Sequence, residues 1–402
     1  MRFLFQLGGQ SLATVYVAAA SFFLTFILAR VLGPELFGTY SYLVTLGSLF
    51  GLLQDGGFRM LIVRELTRHS FHLERVKLFS MSLGHVLVVT GLGAGGAIIL
   101  PMENGPLMSL VIVAFGFGLV CIQISSFLKG EGRFRTEALW QSAVRTSTLV
   151  CVLVALYLFP PRLEYVFLGV MVGYVFALLI QRYRTLGNFR FDHLNLVIYR
   201  AVLPFMIIDL ATLVYFKIDI VMLRHFLGEV EQVGYYAGAS RVLEGILLLF
   251  APVSSILFRE LRLSSHDRDR YSLLSRRWTS LALALAVPIS GMGAFFASPI
   301  MVFCFGQKFI PGHVILAWLL LALVFMVPNI VLTQAALAAN QEKRYAWGAS
   351  AGAMLNIVLN FILIPLYGAL GAVIGTLVTE GFLFLFIGIG VYRVQENPDE
   401  PS

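Results

Sequence analysis

Charged side chains stand inside long apolar runs of this 402-residue chain, and they are the groups best placed to do chemistry. Asp209, Lys217 and Asp219 lie in the run 201–224, Arg241 and Glu244 in 233–257, Arg145 in 139–159, and Glu380 near the middle of 370–392. In a bilayer, each charge held at mid-membrane costs about 2.5 to 3.5 kcal/mol on insertion scales, so each calls for a partner, water or a function. Cations placed there can receive an anionic phosphate. Carboxyl groups kept from water can take up a proton near neutral pH, as a proton-coupled cycle requires.

Spacing sorts these residues further. Lys217 and Asp219 are two residues apart, which on a helix turns them about 200° from each other. They therefore cannot form a simple pair, and at least one must find a partner on another helix or face a cavity. Lys217 either faces such a cavity or extends its ammonium toward the outer interface. Arg241 and Glu244, three apart, share a helix face; they read either as a self-neutralised pair or as a contact for an anionic ligand. Arg145 lies about two turns inside its run, within reach of a headgroup phosphate. Arg30 closes the first run as Arg224 closes the seventh, so it is either a corner anchor or a further cation of the set. The candidate cations are thus Lys217, Arg145, Arg241 and Arg30, and the candidate coupling acids are Asp209, Asp219 and Glu380. For Glu380 the alternative to proton uptake is a hydrogen bond to a neighbouring helix. Asp55 and Arg59, four apart, read as a local ion pair. Asn329, Asn340, Asn356 and Asn360 are either sugar-hydroxyl ligands or polar glue between helices, the commoner role.

Holding such groups requires a membrane scaffold. The chain is 58% hydrophobic and only 13% charged, with a mean hydropathy of +0.85. An ordinary soluble domain carries about 25% charged residues, so the composition belongs to a membrane protein. A helix needs about 20 mostly apolar residues to cross a bilayer, and about twelve segments reach that length. They fall near 10–31, 36–56, 78–100, 106–128, 139–159 and 163–183, then near 201–224, 233–257, 277–298, 313–335, 347–366 and 370–392. The reading is two six-helix bundles, 1–183 and 201–393, joined by a charged cytoplasmic linker, 184–200, that forms an interfacial helix; a short cytoplasmic tail, 394–402, follows. The first apolar run is too long for a signal-peptide core and reads as a transmembrane helix.

The net charge of +7 does not point to nucleic acid. Of the 29 Lys and Arg, only Arg30, Arg162, Arg224 and Lys308 fall on the outer side and only Arg145, Lys217 and Arg241 within spans; the rest lie at inner ends. Such asymmetry orients a multi-pass protein of the cytoplasmic membrane with both termini cytoplasmic. Membrane lipid headgroups then account for the basic excess. Cys121, Cys151 and Cys304 show neither CxxC nor His spacing, so they predict packing rather than a disulfide or metal site. Gly91-Leu-Gly93-Ala-Gly95-Gly96 satisfies GxGxxG but sits inside an apolar span with no preceding strand, so it reads as close helix packing. Neither a Walker motif nor HExxH occurs, and no catalytic residue, metal or cofactor is expected.

The chain also repeats itself. Leu32-Gly33-Pro34-Glu35-Leu36-Phe37-Gly38-Thr39-Tyr40 leads to Arg64-Glu65, and Leu227-Gly228-Glu229 with Val233-Gly234-Tyr235-Tyr236 leads to Arg259-Glu260 at nearly the same spacing. Each half holds an even number of spans and starts on the same side, which implies parallel repeats related by a pseudo-twofold axis along the membrane normal.

Three stretches carry a family resemblance: Leu28-Ala29-Arg30-Val31-Leu32-Gly33-Pro34-Glu35-Leu36-Phe37-Gly38; Lys217-Ile218-Asp219 leading to Leu227-Gly228 and Gly234-Tyr235-Tyr236; and Asn356 to Asn360 leading through Pro365 to Gly368 and Gly371. In their order and spacing the chain resembles the polysaccharide and lipid-linked oligosaccharide flippases of the multidrug, oligosaccharidyl-lipid and polysaccharide exporter superfamily. That resemblance implies two six-helix bundles around a central cavity, alternating access, and export of a polyprenyl-diphosphate-linked glycan, driven by a proton or cation or by the gradient of the lipid itself. Many such proteins look like fourteen-helix chains, whereas this one reads as twelve. A cation-coupled multidrug or small-molecule antiporter of the same superfamily is the alternative, but it predicts an acid-dominated cavity. A membrane glycosyltransferase, polymerase or ligase would need acidic catalytic residues on a sizeable outer loop, and the outer connections are short.

Overall fold

The computed structural model describes residues 2–67, 74–100, 104–180 and 196–393, and among them every regular element is helical. Most of the predicted charged linker, 184–195, and the tail after Arg393 lie outside the described residues. The first two predicted spans form one run, α1 (Arg2–Asp55), broken at Gly33, where φ is 74° and ψ is 174°. A positive φ strains any residue with a Cβ, and Pro34 loses no hydrogen bond at the first turn of a new helix. Gly33-Pro34 therefore stops one span and starts the next. There follow α2 (Phe58–Thr67), α3 (Glu74–Ile99), α4 (Gly105–Gly130), α5 (Phe134–Leu158), α6 (Leu163–Ile180) and α7 (Leu196–Phe226).

The later elements are α8 (Val230–Leu248), α9 (Ala251–Ser264), α10 (Arg268–Phe295), α11 (Ala297–Phe305), a short 3-10 segment Gln307–Gly312, α12 (His313–Leu321), α13 (Leu323–Ala338), α14 (Glu342–Tyr367) and α15 (Ala369–Arg393). Among the described residues, 9 helices are long and apolar enough to cross a membrane, and the 44-residue stretch Leu12–Asp55 counts once among them although Gly33 divides it. α7 and α8, with 31 and 19 residues, are outside that set; they are the helices that carry Lys217, Asp219, Arg241 and Glu244. The chain is an all-α polytopic membrane protein.

Internal contacts divide it into two compact units, one of Met1–Leu32 with Tyr42–Val214 and one of Gly33–Ser41 with Tyr215–Ser402. In the first, α4 packs against α2, α3, α5 and α6. Its core gathers Phe58, Ile62, Phe79, Val86, Leu128 and Trp140. Hydrogen bonds link helices inside it: Trp140 Nε1 donates to the Cys121 carbonyl at 2.9 Å, and Gln54 Nε2 donates to Thr90 Oγ1 at 2.8 Å and to the Ile112 carbonyl at 2.9 Å. Without water to compete, such bonds hold one helix to the next.

In the second unit α13 packs against α9, α10 and α15, around Leu261, Tyr271, Leu332, Ala335 and Val391. The segment just after the Gly33 break belongs here too: the Phe37 ring meets Phe309 edge-on at 5.8 Å and lies 6.4 Å from Phe305. Beside it the two glycines of the sequence repeat touch. A Cβ at Gly38 would stand 2.8 Å from the Gly234 nitrogen, and one at Gly234 would strike the Pro34 carbonyl. Neither position has room for a side chain.

Candidate functional site

α7 and α8 together place two cations on one carboxylate. Lys217 Nζ lies 2.7 Å from Glu244 Oε1, and Arg241 Nη1 lies 2.7 Å from Glu244 Oε2. Arg241 and Glu244 are neighbours because three residues bring side chains to one helix face; Lys217 reaches across from α7. The three side chains are 21%, 32% and 37% exposed for Lys217, Arg241 and Glu244, so they are held between helices without being sealed. Within this trio one carboxylate faces two cations, an excess of one positive charge; Asp219, whose side chain turns elsewhere, is still near enough to act on the Lys217 ammonium. Both cations also retain N–H donors beyond those given to Glu244.

Asp219 turns the other way, as the spacing requires. It is 8% exposed, with Oδ2 accepting from Tyr236 Oη at 2.6 Å and Oδ1 from Asn360 Nδ2 at 2.6 Å. Asn360 Nδ2 also donates to Asn356 Oδ1 at 3.0 Å, and Asn360 Oδ1 has no hydrogen-bond partner among the described residues. α7, α8 and α14 thus converge on an oxygen-rich node that combines a carboxylate, a phenol and two amides. Tyr236 was not legible as part of it, being noticed only within the repeat. Asn356 and Asn360 were visible as a shared helix face, but nothing in the sequence named Asp219 as what that face meets.

The other candidates make contacts of their own. Glu380, 7% exposed on α15, accepts from Asn329 Nδ2 of α13 at 2.8 Å, and the same nitrogen reaches its backbone carbonyl at 3.0 Å. Asp209 pairs with Arg59, Oδ2 to Nη2 at 2.6 Å. That pairing corrects the expected Asp55–Arg59 pair: the helix breaks at Gly56 and Gly57, with φ of 56° and 84°, and the four-residue spacing no longer follows one helix face. Asp55 is left 5% exposed, its carboxyl beside the backbone N–H groups of Gly57 and Arg59 and not paired with the Arg59 guanidinium. Arg145 is half-buried on α5 and Arg30 is exposed at the end of the first span; both belong to the first unit, while Lys217 and Arg241 belong to the second.

One buried acid escaped the sequence reading altogether. Glu137, 1% exposed at the start of α5, accepts from Ser125 Oγ at 2.6 Å, from Gln10 Nε2 at 3.3 Å and from Gln141, and it pairs with Lys129 at 3.2 Å. So many donors make it a structural tie of the first unit. Among the described residues no group of three or more His, Cys, Asp or Glu could hold a metal ion.

Comparison with known proteins gives this arrangement a family. Residues 8–258, more than half of the chain, match the polysaccharide biosynthesis protein family. The "Putative O-antigen transporter" of Shigella flexneri is 21% identical over 397 residues, covering 92% of this chain and 94% of that one. Among solved structures, the lipid II flippase MurJ in an inward closed conformation superposes with a TM-score of 0.71 at 16% identity, covering 95% of this chain and 87% of the other. A multidrug resistance MATE family transporter of the MOP superfamily, inward-facing, gives 0.64 at 12% identity, with 96% of each chain covered. These structural likenesses establish the fold, and the match across 8–258 establishes the lineage: the chain belongs to the polysaccharide biosynthesis protein family.

Proposed function

We propose that the chain translocates a polyprenyl-diphosphate-linked oligosaccharide across the cytoplasmic membrane by alternating access, for cell-surface polysaccharide biosynthesis. The observation that carries this reading is the positive excess of Lys217 and Arg241 around Glu244. A diphosphate supplies the missing negative charge and enough acceptor oxygens to engage both cations, while the lipid tail stays in hydrocarbon. Arg30 and Arg145 add positive charge in the first unit. The basic excess at the inner ends supports cytoplasmic termini. Family membership and the O-antigen transporter relative favour transport over catalysis.

Asp209, Asp219 and Glu380 are the acids proposed to bind the coupling proton or cation. Of the three, Asp219 has the richest oxygen surroundings, with Tyr236, Asn356 and Asn360 gathered about it. That node also favours the second reading, a cation-coupled multidrug or small-molecule antiporter, which the MATE fold likeness accommodates. The cation cluster speaks against an organic cation as cargo, since like charge would repel it.

The two readings separate in reconstituted vesicles. A fluorescent polyprenyl-diphosphate oligosaccharide loaded in one leaflet should become accessible to an added glycosidase only when the protein is present. Failure of that accessibility, together with counter-transport of a cationic dye, would replace the first reading by the second.

A further inference from the structure

The second unit carries an open apolar groove of about 390 Å³, separate from both charged clusters. Leu332 of α13 and Phe384, Leu385 and Ile389 of α15 form its walls, and Tyr392 lies at its far end along α15. Leu385 is 62% exposed and Ile389 46%, so the groove opens outward rather than into the core. Gly388 leaves its floor bare: a Cβ there would meet only Leu332 Cδ1, at 3.6 Å, an ordinary contact. At the Tyr392 end the guanidinium carbon of Arg276, an exposed residue, stands 5.5 Å from the ring centroid. A guanidinium resting on a ring face keeps its in-plane N–H groups for an anion.

An apolar channel ending at a guanidinium matches an amphiphile with an anionic head. We propose that the groove holds one acyl chain of an anionic phospholipid, with Arg276 binding its phosphate headgroup. The walls take a flexible chain at little cost because they are apolar. Arg276 selects the head: a zwitterionic lipid brings its own cation to the same place and loses the advantage. Arg276 contributes about fivefold to the preference for anionic over zwitterionic lipid, as basic residues do at anionic membrane surfaces. This inference stands apart from the transport reading, since it concerns a surface of the second unit and no transported substrate.

The test is native mass spectrometry of the purified full chain titrated with phosphatidylglycerol or with phosphatidylcholine of the same acyl chains. Wild type should prefer phosphatidylglycerol about fivefold and Arg276→Gln should abolish that preference. Gly388→Phe, which fills the groove from its floor, should remove binding of both lipids, whereas Gly388→Ala should bind as wild type does. Equal binding of the two lipids by wild type overturns the proposal, as does undiminished phosphatidylglycerol binding by a folded Gly388→Phe. If Gly388→Phe does not fold, a photoreactive acyl chain on phosphatidylglycerol decides instead: labelling must fall in 384–392, and labelling elsewhere rejects the site. Displacement by polyprenyl phosphate at lower concentration than by phosphatidylglycerol itself also overturns it, because the occupant is then a carrier lipid.

Discussion

Lys217 and Asp219 sit two residues apart on α7 and serve opposite neighbours: Lys217 holds Glu244 at 2.7 Å, while Asp219 accepts from Tyr236 and Asn360, each at 2.6 Å. One helix therefore carries two polar systems on different faces. The first has surplus positive charge and partial exposure; the second is buried and acidic. Such a division lets one helix bear both on an anionic substrate and on a coupling ion, so variants on the two faces should have separable effects.

On the cationic face, Lys217→Ala and Arg241→Ala should each weaken binding of a polyprenyl diphosphate about tenfold, the loss expected for one charge-assisted contact of about 1.5 kcal/mol. Protein level should not change, because Glu244 keeps the other cation. Glu244→Gln should act in reverse, tightening headgroup binding while lowering the melting temperature, since two cations are then left side by side. Binding of a fluorescent polyprenyl diphosphate, set beside thermal melts of the same preparations, checks both directions. Unaltered affinity in the Lys217→Ala/Arg241→Ala double variant would sink the cationic-cluster proposal.

On the acidic face, Tyr236→Phe removes a hydroxyl that donates to a carboxylate and should destabilise the protein by about 1.5 to 3 kcal/mol. Asp219→Asn keeps the shape but not the charge, so it should leave headgroup binding intact while abolishing the response of transport to a proton or sodium gradient. Flux measured with and without each gradient is the check. A gradient response equal to wild type would remove Asp219 from the coupling role.

Glu380 presents a sharper choice. Glu380→Gln retains an acceptor for Asn329 Nδ2, so the α13–α15 hydrogen bond and the melting temperature should survive. If Glu380 carries the coupling proton, transport by this variant should no longer depend on a pH gradient. Persistence of that dependence would leave Glu380 as a tie between helices, the alternative weighed from sequence.

How much of this was legible beforehand depends on sequence distance. Helical periodicity alone required Lys217 and Asp219 to diverge, and Gly33-Pro34 announced a break that the structure places at Gly33. The partners could not be read, because Tyr236, Glu244 and Asn360 lie 17, 27 and 141 residues from the groups they meet, and no local rule spans such separations. Where a local rule was applied to Arg59 it failed, since Gly56 and Gly57 interrupt the helix that would have carried it to Asp55. Glu137 was overlooked for a related reason: it follows the polar turn Lys129–Arg133, where a charge raises no question, yet the fold buries it.

The repeated glycines provide a test of packing rather than transport. Gly228 and Gly234 belong to the same repeated stretch and stand six positions apart, yet their surroundings differ completely. A Cβ at Gly228 would meet nothing within 4 Å, whereas one at Gly234 would strike the backbone carbonyl of Pro34. Backbone cannot rotate aside as a side chain can, so Gly234→Ala should force the segment Gly33–Ser41 away from α8. The expected cost is about 1 to 3 kcal/mol, the range for overpacking a close contact. Gly228→Ala should stay within about 0.5 kcal/mol of wild type, as surface substitutions do. Thermal melts of the two variants in one detergent compare them directly, and equal melting temperatures would show that the Gly234–Pro34 approach does not hold the segment in place.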